Sequence, residues 1–260
     1  MLSTEVQTSV RYDLSAKVAI ITGGGKGIGK AIALELAGAG ATVVVASRTE
    51  AEIEAVAEEI RGAGGMALAV VTDLMVTEQI ENLVEATIRE FGRVDLLVNN
   101  AAESYMRPLL DFNEEGWDSI FDTNCKGAFL LSRAVAKKMI GQGRGKIINI
   151  TTVGAERGGV GLGVYHASKA ALKMLTMCMA AEWAAYNINV NAVGPGLTRT
   201  EFSRPIWDHP ERAEEYLSAV PKGRVAESDE IAGAVLFLAS DASDFITGQS
   251  IYVDGGYLAK

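Results

Sequence analysis

The sequence has little that would suit it to nucleic acids or to membranes. Its 260 residues include 24 lysines and arginines against 33 aspartates and glutamates, a formal net charge of −9. No run of basic residues stands out as a binding tail, and an acidic surface repels phosphate backbones. No apolar stretch approaches the ~20 residues of a membrane span. We therefore expect neither nucleic acid nor a membrane as the main partner.

Cysteine and histidine are scarce, with two residues of each type. Cys125 and Cys178 are far apart in the chain and give neither a metal-ligand spacing nor a redox pair, so no metal is expected. Sparse cysteine is typical of reducing compartments, which favours a cytoplasmic location. The segment Met1 to Leu14 is polar and lacks the apolar core of a signal peptide.

What the chain does have is a regular alternation of short apolar runs and amphipathic stretches. Predicted strands span Lys17–Thr22, Thr42–Ala46, Met66–Val71, Val94–Val98, Lys146–Ile150, Ile188–Val193 and Ser250–Val253. Alternation of strand and helix predicts an α/β fold, a doubly wound (Rossmann-type) parallel sheet of about seven strands with helices on both faces. We expect a single domain over residues 1–260, with residues 198–225 inserted as a substrate lid.

The helices between these strands are less evenly marked. A long helix is predicted from about Asn113 to Ile140, with an interruption near Asn124. A second runs from before Tyr165 to about Tyr186. A third begins at Ser228, which is a plausible N-cap residue.

A glycine-rich turn, Thr22–Gly29 (TGGGKGIG), links the first strand to the first helix. Glycine lets the backbone turn sharply and approach a phosphate closely. The helix that follows directs its free N–H groups and its positive end at the same place. This combination suits the pyrophosphate of a dinucleotide, although the spacing is Gly-xxx-Gly-x-Gly and not the usual Gly-x-Gly-xx-Gly.

The end of the second strand bears on cofactor choice. An acidic residue there takes the ribose hydroxyls of NAD, but this strand ends in Ser47-Arg48 with no acid before Glu50. The planar fork of arginine pairs with a 2′-phosphate, and Lys26 adds a second positive charge. The pattern favours NADP(H), with NAD possible if both cations are simply solvated surface charges. Asp73 either accepts a hydrogen bond from adenine or closes a turn.

Tyr165 and Lys169 lie four residues apart in a helical run, so that the phenol and the ammonium share a face. A free tyrosine has a pKa near ~10, too high for easy proton exchange at neutral pH. A fixed cation beside it favours the phenolate and lowers that pKa. The pair is therefore a candidate general acid and base.

Together these motifs resemble the short-chain dehydrogenase/reductase family over about residues 17–256. The glycine turn, Asn99-Asn100-Ala101 after the fourth strand, Tyr165-xxx-Lys169, and Asn191 with Pro195-Gly196 after the sixth strand occur in the family's order. The resemblance implies that Tyr165 donates the proton to a carbonyl, that Lys169 lowers its pKa and binds the nicotinamide ribose, and that Asn124 holds a water in a proton relay.

The resemblance also implies the rest of the cofactor site. Asn99 is expected to stabilise the sheet near the cofactor, and Thr198 or Thr200 to contact the nicotinamide amide. The expected cofactor-binding positions are Gly23, Gly25, Lys26, Gly27, Ile28, Gly29, Ser47, Arg48, Asp73, Leu74, Asn99, Ala101, Tyr165, Lys169, Pro195, Gly196, Thr198 and Thr200.

Two positions depart from the family pattern. Thr152 stands where the family usually has serine, thirteen residues before the tyrosine. It keeps the hydroxyl that orients the carbonyl oxygen, but its branched side chain is stiffer. Ala102 replaces a usual glycine and adds one methyl group. We expect Asn124, Thr152, Tyr165 and Lys169 to be the catalytic residues.

The expected function is hydride transfer between NADP(H) and a carbonyl or secondary alcohol of a small molecule. The family is usually tetrameric, and Gly248–Tyr257 resembles its interface segment, so a homotetramer is expected. One alternative is a 3-oxoacyl-acyl-carrier-protein reductase. The acidic charge opposes that carrier, and Leu130 and Ala181 stand where such reductases commonly have arginine. The other alternative is a non-catalytic nucleotide-binding scaffold or sensor, which the intact Tyr165, Lys169 and Asn124 disfavour.

Overall fold

Seven parallel strands form one sheet in the computed structural model, which describes residues 12–260. The strands are β1 (Val18–Thr22), β2 (Thr42–Ser47), β3 (Ala67–Val71), β4 (Leu96–Asn99), β5 (Gly145–Ile150), β6 (Ile188–Pro195) and β7 (Ser250–Val253). Their order in the sheet is β3-β2-β1-β4-β5-β6-β7. The predicted α/β fold is confirmed. The expected absence of a signal peptide concerns residues that lie largely outside the described range.

Nine α-helices connect and cover the strands within the described range. They are α1 (Gly27–Gly38), α2 (Glu50–Gly62), α3 (Thr77–Phe91), α4 (Glu114–Phe121), α5 (Ala128–Gln142), α6 (Gly163–Trp183), α7 (Arg204–Trp207), α8 (Pro210–Ser218) and α9 (Ser228–Ala239). None of the helices in residues 12–260 is long and apolar enough to span a bilayer.

The sheet is buried on both faces, as its apolar strands require. Successive residues of β1 point to opposite sides, so Ile20 packs in one hydrophobic cluster and Ile21 in the other. The Ile21 cluster includes residues of α1, α2 and α9, and the Ile20 cluster includes residues of α3, α5 and α6. The strand order reverses between β1 and β4, and ligands of such sheets bind at the carboxyl ends beside that point.

The predicted long helix is divided into three parts. Between α4 and α5 the residues Asp122–Gly127 form a turn of π-helix, which confirms the interruption near Asn124. A Cβ at Gly127 would lie 2.6 Å from the carbonyl oxygen of Leu74, so the chain passes very close to the loop after β3. A π-helical turn places Asn124 inside the molecule without ending the helix.

Two predicted boundaries differ from the structure for local hydrogen-bonding reasons. Ser228 is the first residue of α9, not its cap. Glu227 is the N-cap, and its carboxylate forms a capping box with Glu230. Val94 precedes β4 because its amide binds the side chain of Gln142 and not a neighbouring strand.

The segment 198–225 carries the short helices α7 and α8 over the carboxyl edge of the sheet. The Trp207 indole donates a hydrogen bond to the carbonyl oxygen of Thr200 (2.9 Å). The Tyr216 hydroxyl accepts one from the amide of Leu197 (3.1 Å), and its ring stacks on that of Tyr257. The segment is thereby attached to the end of β6 and to the C-terminal residues.

Candidate active site

The glycine turn after β1 is packed so tightly that its glycines could not be replaced by larger residues without a shift of the backbone. Gly23 has φ 62°, a left-handed conformation that favours glycine. A Cβ at Gly29 would lie 2.1 Å from the carbonyl oxygen of Gly23, and one at Gly25 would lie 2.7 Å from the Cβ of Glu52. The turn runs directly into α1 at Gly27, and Ile28 is half-buried behind it. This cradle fits a pyrophosphate held by backbone N–H groups.

Asn100 joins this turn to the loop after β4. Its side-chain amide donates to the carbonyl oxygens of Thr22 (2.9 Å) and Gly23 (3.1 Å). In return, the Thr22 hydroxyl accepts hydrogen bonds from the backbone amides of Asn100 (3.0 Å) and Ala101 (3.1 Å). Asn99 and not Asn100 is among the expected cofactor positions, although the repeated asparagine of the motif is a visible signal for both.

Asn99 points the other way, into the sheet. Its amide donates to Ser132 Oγ and to Asn149 Oδ1, both at 2.8 Å. Asn149 in turn donates to Thr176 Oγ1 (2.8 Å). This buried chain of polar groups links β4 and β5 to α5 and α6, so Asn99 acts on the sheet that carries the site.

Both cations expected to recognise a 2′-phosphate have acidic partners. Lys26 Nζ lies 3.0 Å from Glu52 Oε1. Arg48 lies 3.8 Å from Glu103, a residue of the loop after β4. Both cations are largely exposed at the rim of the glycine turn, where a phosphate could reach them.

The other expected cofactor positions lie on loops at the same edge of the sheet. The Ser47 hydroxyl bonds within its own turn to Thr49. The Asp73 carboxylate accepts from the amide of Met75 through Oδ1 (2.9 Å), so it closes a turn, which is one of its two expected roles. Leu74 is buried, and Ala101 is half-buried.

Tyr165 and Lys169 lie on the first turns of α6. The Lys169 side chain is 1% exposed, and its Nζ donates to the carbonyl oxygen of Ile150 (2.7 Å) at the end of β5. The Nζ lies 6.0 Å from the centroid of the Tyr165 ring. The two groups therefore share a face, as their spacing predicts.

The electrostatics of this pair differ from the sequence prediction. Burial raises the pKa of Tyr165, and burial lowers the pKa of Lys169 to about 8, with Cys125 opposing that shift. A cation was expected to lower the tyrosine pKa. At 6.0 Å from the ring, and bonded to Ile150, the ammonium does not offset the loss of hydration around the phenol.

Asn124 is fully buried and anchors the loop after β4 to α6. Its Oδ1 accepts from the amide of Glu103 (2.7 Å), and its Nδ2 donates to the Glu103 carbonyl oxygen (2.9 Å) and to Ser168 Oγ (3.0 Å). Ser168 donates to the carbonyl oxygen of Tyr165 (2.7 Å). The side chain thus sets the position of the helical turn that carries the tyrosine.

Thr152 follows β5 in extended backbone conformation and begins a short 3-10 turn. Its hydroxyl accepts a hydrogen bond from the amide of Gly154 (3.2 Å). The hydroxyl of the preceding Thr151 binds the carbonyl oxygen of Val193 (3.2 Å) and is buried against β6. Successive side chains of an extended chain point in opposite directions. The Thr151 side chain therefore points towards β6, and the Thr152 side chain points to the opposite side.

The segment after β6 carries the two threonines expected near the nicotinamide. Thr198 is buried, and its hydroxyl bonds back to the carbonyl oxygen of Gly196 (3.1 Å), just after Pro195. The methyl group of Thr200 lies 3.1 Å from where a Cβ of Gly27 would stand. Thr200 therefore lies against the cofactor turn.

Comparison with known proteins agrees with this geometry. A family model described as Enoyl-(Acyl carrier protein) reductase matches residues 23–258. The chain is 39% identical over 250 residues to "Dehydrogenase/reductase SDR family member 4" of Bos taurus, which covers 96% of this chain and 90% of that protein. The chain belongs to the short-chain dehydrogenase/reductase family.

Relatives of this dehydrogenase/reductase are named for different substrates. It is 39% identical over 250 residues to a 2-dehydro-3-deoxy-D-gluconate 5-dehydrogenase of Escherichia coli (strain K12), covering 96% of this chain and 98% of that protein. It is 40% identical over 245 residues to a 3-oxoacyl-(acyl-carrier-protein) reductase of Synechocystis sp., covering 94% and 97%. A crystal structure of a gluconate 5-dehydrogenase from Burkholderia cenocepacia J2315 in complex with NADP and tartrate has TM-score 0.93 and 38% identity, covering 96% and 98%.

The family membership confirms the predicted enzyme class: the protein is an oxidoreductase of the NAD(P)-dependent dehydrogenase type.

Two further residues of this dehydrogenase/reductase lie beside the tyrosine. The Phe202 ring, 52% exposed, has its centroid 5.8 Å from that of Tyr165. The His166 ring lies against Gly154 and Gly159, so it packs under the loop after β5. Phe202 is not predictable from the sequence, because residues 198–225 lack the regular spacing of apolar residues that would show which side chains face the site.

Proposed function

We propose that this protein transfers hydride between NADP(H) and a carbonyl or secondary alcohol of a small molecule. The observation that carries the proposal is the meeting of two arrangements at one edge of the sheet. One is the glycine cradle fixed by Asn100, and the other is the pair of Tyr165 and Lys169 at the start of α6. A dinucleotide on the first arrangement would extend towards the second.

The cofactor, when bound, supplies or accepts the hydride. The backbone of Gly23–Gly29 would hold its pyrophosphate, and Arg48 with Lys26 would hold a 2′-phosphate. Thr200 lies beside the glycine cradle, and it would border the nicotinamide end together with Pro195 and Gly196 at the end of β6.

The chain's own residues would handle the carbonyl oxygen and its proton. The hydroxyls of Thr152 and Tyr165 would hold that oxygen, and Tyr165 would donate its proton to it during reduction. The ammonium of Lys169 would stabilise the phenolate that remains. Asn124 would keep the helical turn in register and support return of the proton through a bound water.

Relatives named for gluconate-type substrates make hydroxy acids and their keto forms the first compounds to test. The segment 198–225 would close over the substrate, since Phe202 already lies beside Tyr165.

The relative in Synechocystis sp. favours a second candidate function, reduction of a 3-oxoacyl group on acyl carrier protein. Leu130 and Ala181 offer that acidic carrier no positive charge, so we rank it second.

We further propose a cytoplasmic homotetramer. Both cysteines, Cys125 and Cys178, are free thiols, which suits a reducing compartment. The outer face of α6 exposes Met174 and Met177, apolar side chains that a second copy of the chain would cover. The C-terminal Gly248–Tyr257 stretch supplies the other candidate contact surface.

The deciding experiment is turnover of nicotinamide by the purified protein with hydroxy acids, sugars, ketones and acyl thioesters, using NADPH and NADH in parallel. Activity should prefer NADPH. Tyr165→Phe should lower kcat by about 10²–10⁴-fold with cofactor binding retained, because the general acid is lost. Tyr186→Phe, at an exposed position after α6, should leave kcat unchanged.

Three outcomes would contradict parts of this proposal. A preference for NADH would remove the role of Arg48 and Lys26 but not the chemistry. Reduction of carrier-bound acyl groups alone would favour the second candidate. Tight NADPH binding with no turnover of any carbonyl would favour a non-catalytic nucleotide-binding protein.

A further inference from the structure

Arg48 and Glu103 form an ion pair that passes over the cofactor turn. Arg48 follows β2 and Glu103 lies in the loop after β4, and in the sheet β1 lies between these two strands. The glycine turn continues β1 at the same edge. An ion pair of 3.8 Å between the neighbours on either side therefore crosses the region that a dinucleotide would occupy.

The two partners differ in freedom. The Glu103 backbone is held on both sides by Asn124, through its amide and its carbonyl oxygen. Its carboxylate accepts hydrogen bonds from the Tyr105 hydroxyl (2.8 Å) and from Ser119 Oγ (3.4 Å), and its side chain is 18% exposed. The Arg48 side chain is 62% exposed. Glu103 is therefore the fixed partner and Arg48 the movable one.

The same guanidinium is expected to bind the 2′-phosphate of NADP(H). A phosphate group carries more charge than a carboxylate and offers three oxygens to the planar fork, so it can displace Glu103. Arg48 must first leave Glu103, so the free energy of that ion pair is subtracted from the binding of the phosphate. NAD(H) has no 2′-phosphate and makes no such demand on Arg48.

We propose that Glu103 is a cofactor-discriminating residue: its carboxylate competes with the 2′-phosphate for Arg48 and so weakens binding of NADP(H) but not of NAD(H). This inference rests on the proposed function, in which Arg48 is the phosphate-binding residue. It assigns to Glu103 an effect opposite in sign to that of Arg48 on the same ligand.

The test is a double-mutant cycle with Glu103→Gln, Arg48→Gln and the double variant, measured by calorimetric titration with NADPH, NADH, 2′,5′-ADP and 5′-AMP at one ionic strength. Glu103→Gln should tighten NADPH and 2′,5′-ADP by about two- to fivefold, the range expected for an exposed ion pair. Binding of NADH and 5′-AMP should not change. In the Arg48→Gln background the effect of Glu103→Gln should vanish.

A matched control separates the pair from the overall charge. Glu54→Gln changes the net charge by the same amount but removes a partner of Arg61 on the outer face of α2, so it should leave NADPH binding unchanged. In the Glu103→Gln variant the amide oxygen can accept from one of the Tyr105 and Ser119 hydroxyls and the amide nitrogen can donate to the other, so the fold should persist, with an unchanged melting temperature as the check. An equal tightening of NADPH and NADH would overturn the inference.

The failure of this inference and that of the proposed function look different. If Arg48→Gln weakens NADPH alone while Glu103→Gln changes nothing, the inference is overturned and the cofactor assignment stands. If Arg48→Gln leaves NADPH binding unchanged, Arg48 does not hold the phosphate, and both the assignment and the inference are overturned.

Discussion

The cofactor side and the catalytic side of this site are held in place by different means. The turn after β1 depends on atoms that are absent, since Gly25 and Gly29 leave room for Glu52 and for the Gly23 carbonyl. The start of α6 depends on atoms that are present, since buried Asn124 bonds Glu103 and Ser168. The first region should therefore be broken by adding a methyl group, and the second by removing a polar one.

The largest effect should come from Lys169→Met, which separates activity from stability. We expect kcat to fall by about 10²–10⁴-fold, because the tyrosine loses the cation that supports its phenolate. Stability at pH 7 should rise by about 1–3 kcal/mol, since the folded pKa near 8 lies below the ordinary 10.5 and the buried ammonium destabilises the fold.

The sign of that gain depends on pH. Below pH 8 the lysine is charged in both states and its burial is fully unfavourable. Between pH 8 and about 10.5 only the unfolded chain keeps the proton, so the folded wild type recovers stability as pH rises. Urea unfolding at pH 7 and at pH 10 measures both values. A variant less stable than wild type at pH 7 would mean that the bond to Ile150 outweighs the cost of burial.

The next effect should come from Gly29→Ala. Its methyl group would stand 2.1 Å from the Gly23 carbonyl oxygen and 2.4 Å from Asn100 Nδ2, so the turn must open. We expect a loss of about 1–3 kcal/mol of stability and cofactor binding weakened about tenfold or more, measured by unfolding and by NADPH titration. Gly38→Ala in the same helix meets nothing within 4 Å and should stabilise by about 0.5–1 kcal/mol. Equal effects of the two changes would refute the steric account.

The effect that needs no substitution should appear in the pH profile of carbonyl reduction, and close to pH 8 it should be the smallest of the three. At saturating NADPH, kcat/KM should be level below pH 8 and should then fall by up to about tenfold per pH unit as Lys169 loses its proton. Tyr165 stays protonated over this range because burial raises its pKa. A profile level to pH 10 would show that the lysine remains charged in the cofactor complex.

Much of the fold could be predicted because its signals are local. Every strand was placed to within about two residues, since parallel strands buried on both faces are uniformly apolar, as in Val43–Ala46. The glycine turn and the Tyr165-Lys169 spacing were predicted for the same reason: both depend on neighbours in sequence.

What could not be predicted depends on partners far apart in the chain. The pairing of Asn100 with Thr22, of Arg48 with Glu103 and of Asn99 with Asn149 joins residues 50 to 78 positions apart. The pKa of Tyr165 also failed prediction, because spacing along a helix fixes proximity to Lys169 but not the hydration that both groups lose. Likewise, the N-cap of α9 is Glu227 and not the predicted Ser228, because the carboxylates of Glu227 and Glu230 each bind the backbone of the other residue.

The clamp between Thr22 and Asn100 has a consequence for the entropy of binding. Four hydrogen bonds join the turn after β1 to the loop after β4. A dinucleotide that settles on this surface does not have to freeze either loop, so more of its contact energy is expressed as affinity. At the rim the site is different, because the exposed Arg48 side chain is not part of this clamp.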